Sequence, residues 1–225
     1  MLLQWSAPEY VPRSFLVSGV SGTNKAVKQT DTSFRLTKQV ADGLVDMQEV
    51  SKGLFLVQSE MAFKKETELC EEYPERKVFQ LSFCMNGICE WDYRQKRGEH
   101  YQLSPTQCSL QCGTFSQCVS RFGSEEPYRT LSISLEQERF LPLAEDLEAA
   151  HLIRRDNKIC THIFSTTPEI RLVLQQLLDC PPERKLRKLY LEGKVLELVS
   201  LFCEEAIGKQ KNDKEISRED YRCLM

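Results

Sequence analysis

The sequence predicts an α+β chain: a closed or double-sheet β structure of the jelly-roll kind, followed by a helical hairpin. Two observations predict the β part. From about residue 44 to residue 135, apolar residues fall into about seven or eight short, strand-like runs separated by turn residues. One separator is Asn86-Gly87, the preferred pair for a two-residue type I′ turn. A third observation predicts the helices. Residues 182–209 are rich in Leu, Glu and Lys with Gly193 as the only interior breaker, and Ile170, Val173, Leu174 and Leu177 before them recur at helical spacing.

In order along the chain, residues 1–40 are poorly patterned. Positions 21–39 are rich in Ser, Thr and Lys, with Phe34 and Leu36 as the large apolar residues, which reads as a loose arm or an irregular edge. The barrel is expected over 41–138. Residues 53–61 form one strand. Residues 78–85 form the next, with Phe79, Leu81, Phe83 and Met85 on one face. Residues 88–94 return across the Asn86-Gly87 turn. Short strands follow at 101–103, 107–111 and 117–119, and the last, 128–135, alternates Leu131, Ile133 and Leu135 with Thr130, Ser132 and Ser134.

Residues 139–166 read as a connector. It starts in an acidic, partly helical stretch interrupted by Pro142 and holds one short strand near Ile159. The hairpin is expected over 167–209. Thr167 can cap its first helix with Pro168 at N1, or Thr166 and Glu169 can form a capping box. The second helix is apolar on two sides, with Leu186, Leu189, Leu196 and Ile207 on one and Leu191, Val195, Leu198 and Phe202 on the other. Such a helix must be covered twice. The first hairpin helix supplies one cover. A second copy of the chain would supply the other, making Leu189, Leu191, Val195, Leu196, Leu198 and Phe202 dimerisation residues; the alternative is a pair packed wholly within one monomer. Residues 210–225 read as a polar linker and the start of a further helix capped by Ser217, expected to lead onward.

The chain has 225 residues and a formal charge of −3, which argues against holding nucleic acid by bulk electrostatics. No apolar run approaches the ~20 residues of a membrane span. The first residues, broken by Pro8, Glu9, Pro12 and Arg13, lack a compact signal-peptide core, so a cytoplasmic location is expected. None of the ten cysteines forms a C-x-x-C pair, and free thiols packed as small apolar groups are expected.

Candidate sites follow from the strand reading. Trp91 and Tyr93 share a face, with Gln80 and Ser82 across the hairpin, a combination that suits a cyclic or aromatic ligand. The same aromatics could instead plug the barrel or cover its outside. The hairpin would also set Cys84 opposite Cys89 with Cα atoms roughly 4.5 Å apart, a possible redox pair; the alternative is two packed thiols. Cys108 and Cys112 would lie about 13 Å apart along a strand and read as core. Arg184, Lys185, Arg187 and Lys188 form a basic cluster that could attract an anion or serve as a solvated face. No G-x-S-x-G elbow appears, and no enzyme is expected.

Several stretches resemble AraC-type transcription regulators, in particular the branch typified by the pyochelin-siderophore regulator. Lys188-Leu-Tyr-Leu-Glu-Gly-Lys-Val-Leu-Glu-Leu198 resembles that branch's interdomain helix, and Ile216-Ser-Arg-Glu-Asp-Tyr221 its lead-in to the DNA-binding half. Residues 81–87 and Tyr101-Gln-Leu-Ser-Pro105 are similar to segments of its cupin-like sensory half. The resemblance covers about residues 42–225. It implies a cupin-like β-barrel that binds a small-molecule effector, a siderophore-like one among the candidates, and a homodimer. It also implies DNA contact through helix-turn-helix units in a C-terminal domain that this sequence does not contain. Metal-holding cupins resemble a G-x₅-H-x-H pattern; here His100, His151 and His162 stand apart, so neither a metal nor another cofactor is expected. The runner-up function is a stand-alone cupin-like small-ligand binding protein with no DNA role.

Overall fold

A computed structural model describes residues 14–17, 33–35, 38–94, 98–156 and 158–223. Among these described residues ten strands and three helices follow one another: β1 (Ser14–Val17), β2 (Ser33–Phe34), β3 (Ala41–Ser51), β4 (Leu54–Phe63), β5 (Thr67–Asn86), β6 (Cys89–Tyr93), β7 (Tyr101–Leu103), β8 (Gln107–Phe122), β9 (Tyr128–Leu135), α1 (Gln137–Ala149), β10 (Cys160–Ser165), α2 (Pro168–Leu178) and α3 (Arg187–Cys223). All the named strand pairs are antiparallel. The class is α+β and the β part is a cupin-like barrel.

Two long strands build the barrel. The second half of β5 pairs with β9 and with the first half of β8, and the first half of β5 pairs with the second half of β8. The outer edge of β8 is shared in the same way, by β10 over 107–112 and by β6 over 118–122. Both long strands thus pass from one sheet into the other. The bend lies between Glu72 and Arg76 on β5, where the register slips, and at Gly113 on β8. Gly113 has φ +134°, and a Cβ there would stand 2.5 Å from the Ile159 Cα, so this corner needs glycine.

Strand alternation then divides the apolar residues in two. Phe79, Leu81 and Phe83 of β5, Leu131, Ile133 and Leu135 of β9, and Cys108, Leu110 and Cys112 of β8 pack with the helices in one core. Leu69, Cys84, Cys89, Trp91, Tyr93, Phe115 and Phe122 belong to a second core inside the barrel. Phe79 stacks on Phe140 of α1 at 5.3 Å, and Phe202 of α3 meets Phe83 and Phe164 edge-on at 6.2 and 5.5 Å.

The helices differ from expectation in three places. Pro142 does not interrupt α1; it lies on the exposed side, where the carbonyl deprived of a donor can reach water. Residues 182–186 are not helical: α3 starts at Arg187, after Leu186 at φ +57°. Past residue 209 the backbone stays helical to Cys223 across the stretch expected as a linker. Thr167 caps α2 as expected, its hydroxyl accepting from the Ile170 N–H at 3.4 Å, with Pro168 in the first turn. Among the described residues, no helix is long and apolar enough to cross a membrane. Of the expected arm, β1 lies against β5 and β2 against β3; most of positions 21–39 fall outside the described residues.

Asn86-Gly87 is a corner between sheets, not a hairpin turn. A type I′ turn needs positive φ at both residues, and only Gly87 has it, at +72°. Asn86 donates through Nδ2 to the Pro127 carbonyl at 2.7 Å, which ties the corner to the β8–β9 loop. β6 therefore pairs with β7 and β8 rather than β5. Cys84 faces Thr130, while Cys89 faces Leu103 and Phe122, so the two thiols, though in one core, are not opposed across a strand pair as expected.

Candidate functional site: the barrel interior

The inner face of the barrel has two unlike walls. One is polar, and its rows follow from register. Phe55, Ser134, Gln80, Gln111 and Thr161 lie abreast on β4, β9, β5, β8 and β10. The next row holds Val57, Ser132, Ser82, Ser109 and Ile163. Neighbouring side chains satisfy one another. Ser134 Oγ donates to Gln80 Oε1 at 3.3 Å, Gln80 Nε2 to Ser82 Oγ at 3.0 Å, and Ser132 Oγ to Ser82 Oγ at 2.9 Å. Gln111 Nε2 donates to Ser109 Oγ at 3.5 Å.

The other wall is aromatic. Trp91 and Tyr93 project inward from β6, Trp91 stacked on Tyr101 at 5.6 Å and Tyr93 against Phe115 at 4.9 Å. The two walls meet at the Tyr93 hydroxyl, which donates to Gln111 Oε1 at 3.0 Å and accepts from Thr161 Oγ1 at 3.4 Å. Burial pushes the Tyr93 hydroxyl well above its ordinary pKa, with Cys118 adding to the shift, so it stays a neutral donor.

Trp91 is 4 % exposed, and its indole N–H has no hydrogen-bond partner. It lies close enough to Tyr93 to stabilise that group's anion, but outside hydrogen-bonding geometry. A buried donor left unmade costs about 1–3 kcal/mol.

The thiols on this inner face are kept neutral. Burial lifts Cys84 to about 11 and also raises Cys89 and Cys118, with the carboxylate of Glu71 as the next cause for the latter two. Ser120 Oγ donates to Glu71 Oε2 at 3.4 Å, which places that carboxylate on the inner wall. Among the described residues, no group of three or more His, Cys, Asp and Glu side chains is placed to hold a metal ion.

A cavity of about 570 Å³ opens at one end of β5, β6 and β8, lined by Glu66, Thr67, Glu68, Ile88, Glu90, Arg121, Phe122 and Gly123. Arg121 there is held by Glu68 Oε2 at 3.2 Å and Asp92 Oδ2 at 2.7 Å.

Trp91, Tyr93, Gln80 and Ser82, the four ligand-site residues singled out from the sequence, thus share one interior, on opposite walls rather than across a hairpin. Gln111, Ser109, Ser132, Ser134 and Thr161 complete the polar wall and were not singled out. The serines alternating with Leu131 and Ile133 were the available signal; alternation alone does not say which face closes on itself.

The six expected dimerisation residues divide. Leu191, Val195, Leu198 and Phe202 are buried in the core between α3 and the sheet, so the second cover of the helix is the same chain's barrel, and these four are corrected to core residues. Leu189 and Leu196 are exposed, at 65 % and 45 %, together with Leu186. The basic cluster at the hairpin is partly engaged: Arg184 lies over the Tyr190 ring at 3.7 Å, and Arg187 donates to Gln48 Oε1 of β3 at 2.9 Å.

A family model, the N-terminal domain of the regulatory protein PchR, matches residues 42–217. Among solved structures, the chain is similar to apo ToxT K231A from Vibrio cholerae strain SCE256, at 12% identity over 73% of this chain and 59% of that one, with a TM-score of 0.52. It is also similar to the AraC-like transcriptional activator CuxR, at 9% identity over 71% of this chain and 56% of that one, with a TM-score of 0.47. A third is a protein with a double-stranded beta-helix domain from Klebsiella pneumoniae, at 13% identity over 45% and 81% of the two chains, with a TM-score of 0.32. Such identities speak to fold alone, and of these three the ToxT likeness is close enough to carry that. The chain thus spans 56% of the CuxR chain and 59% of the ToxT chain. No curated protein sequence matches.

Proposed function

The chain belongs to the family of the PchR regulatory protein's N-terminal domain, within the AraC-type regulators, and on that premise we propose that it is an effector-sensing and dimerisation unit whose ligand occupies the barrel interior. The observation that carries this reading is the Trp91 indole N–H, buried without an acceptor on an aromatic wall that faces a wall of hydroxyls and amides. A ligand with ring faces for Trp91 and Tyr93 and an acceptor for that N–H suits both walls. A phenol-bearing ferric siderophore has that chemistry, the iron arriving as cargo.

The hairpin is the output. Leu189 and Leu196 form an exposed apolar face on α3, with exposed Leu186 just before the helix, and Gly193 between the two has open space where a Cβ would stand, which favours close approach of a second copy. DNA contact would run through a C-terminal domain. The ligand acts by binding unequally to two placements of the hairpin.

Titration calorimetry of the chain with a phenol-bearing ferric siderophore tests the reading. Saturable binding is expected, weakened about tenfold by Trp91→Phe, which keeps the ring and removes the donor. Binding that the substitution leaves unchanged, or no saturable binding, overturns it.

A further inference from the structure

Cys84 and Cys89, expected to oppose each other at the Asn86-Gly87 corner, do not, but another cysteine pair does. Cys160 of β10 stands directly opposite Cys112 of β8. Among the described strand registers no other cysteine faces a cysteine: Cys108 faces Phe83 and Phe164, Cys84 faces Thr130, Cys118 faces Glu71 and Tyr93, and Cys70 faces Leu16 and Val119. Directly opposed residues of an antiparallel pair have Cα atoms roughly 4.5 or 5.5 Å apart, and a disulfide accepts either spacing. Both side chains point into the core beneath the helices. Cys160 Sγ already leans across the ladder, donating to the Cys112 carbonyl at 3.1 Å, with the Leu152 carbonyl at 3.4 Å. Gly113, next to Cys112, admits the backbone of Ile159, next to Cys160, so the strands are drawn close where the thiols meet.

We propose that Cys112 and Cys160 are a redox pair that peroxide converts to a cross-strand disulfide, fastening the connector strand to the barrel. Cys160, the more exposed of the two at 8 % against 2 %, reacts first. Its thiolate sulfur attacks a peroxide oxygen. The S–O bond forms as the O–O bond breaks, giving a sulfenic acid and hydroxide, which takes up the thiol proton as water. The Cys112 thiolate then attacks the Cys160 sulfur; the S–S bond forms, the S–O bond breaks, and a second water leaves with the second thiol proton. Two thiols have lost two electrons and hydrogen peroxide has gained them. A dithiol reductant reverses the bond by exchange.

The bond would act on the hairpin through β10. That strand ends at Ser165; the next residue, Thr166, donates through both its N–H and its hydroxyl to the Thr106 carbonyl at 2.9 Å, and Thr167 then caps α2. Fixing the start of β10 as its end is already fixed leaves the connector one placement on the sheet.

The test is thiol mapping of the full chain. The protein is exposed to hydrogen peroxide under native conditions, quenched, denatured, alkylated, digested and analysed by mass spectrometry. The expected result is loss of two alkylatable thiols, at Cys112 and Cys160, with one linked peptide pair that dithiothreitol restores and Cys160→Ser abolishes. Cys112→Ser gives a second control, and mapping of the unsubstituted chain decides the matter if either variant fails to fold. Cys112 and Cys160 that remain alkylatable, that are over-oxidised separately, or that link to other cysteines overturn the proposal.

Discussion

The two faces of β5 carry opposite assignments. Phe79, Leu81 and Phe83 face the helices in an apolar core, while Gln80, Ser82 and Cys84, one residue out of step, face the barrel interior. One strand therefore separates a surface that holds the molecule together from a surface built of paired hydroxyls and amides. The first gains from every apolar area it removes from water. The second gains little net stability, because its hydrogen bonds replace equally good bonds to water. Polar groups arrayed where the fold profits little from them are the arrangement expected of a wall meant to meet a solute.

The sharpest test of that contrast lies on the helix side. Phe202→Ala removes a ring that is 1 % exposed and touches both Phe83 and Phe164. It should destabilise the fold by about 3–5 kcal/mol, read as a lower urea midpoint at unchanged slope. On the other face, Ser82→Ala removes the acceptor for Gln80 and Ser132 and should cost about 1 kcal/mol. If it costs as much as Phe202→Ala, the two faces are not energetically distinct. The smallest effect belongs to the outer side of α3. Leu189→Asp should leave stability within about 0.5 kcal/mol, yet shift the mass seen by light scattering at micromolar concentration from dimer to monomer. A monomer before the substitution would remove the outer leucine face from the account.

Much of this division was legible in the sequence. The alternation of Phe79, Leu81 and Phe83 marked a one-sided strand, and two apolar sides on 182–209 marked a helix needing two covers. What covered them was not legible, because periodicity shows that a face is buried without saying by what. Leu191, Val195, Leu198 and Phe202 found the chain's own sheet, whereas Leu189 and Leu196 remained outside. Asn86-Gly87 was misread because a sheet corner and a tight hairpin both favour a glycine at positive φ; the strand that follows then chose β8, far away in sequence, over β5. Trp91 and Tyr93 still share one interior with Gln80 and Ser82, since strand parity sets which side chains point inward and barrel closure sets opposite walls face to face.

Helix α3 runs 37 residues, a rod about 55 Å long at 1.5 Å per residue. Among its described side chains, contacts to the rest of the chain run from Arg187 on Gln48, through Phe202 on Phe83, to Lys209 on the Ser165 carbonyl at 3.4 Å. A rod that tilts about its base multiplies angle into distance: one degree displaces the far end by roughly 1 Å on that length. Rearrangements in the barrel too small to disturb a single strand register could therefore be read, at the tip, as a change of position.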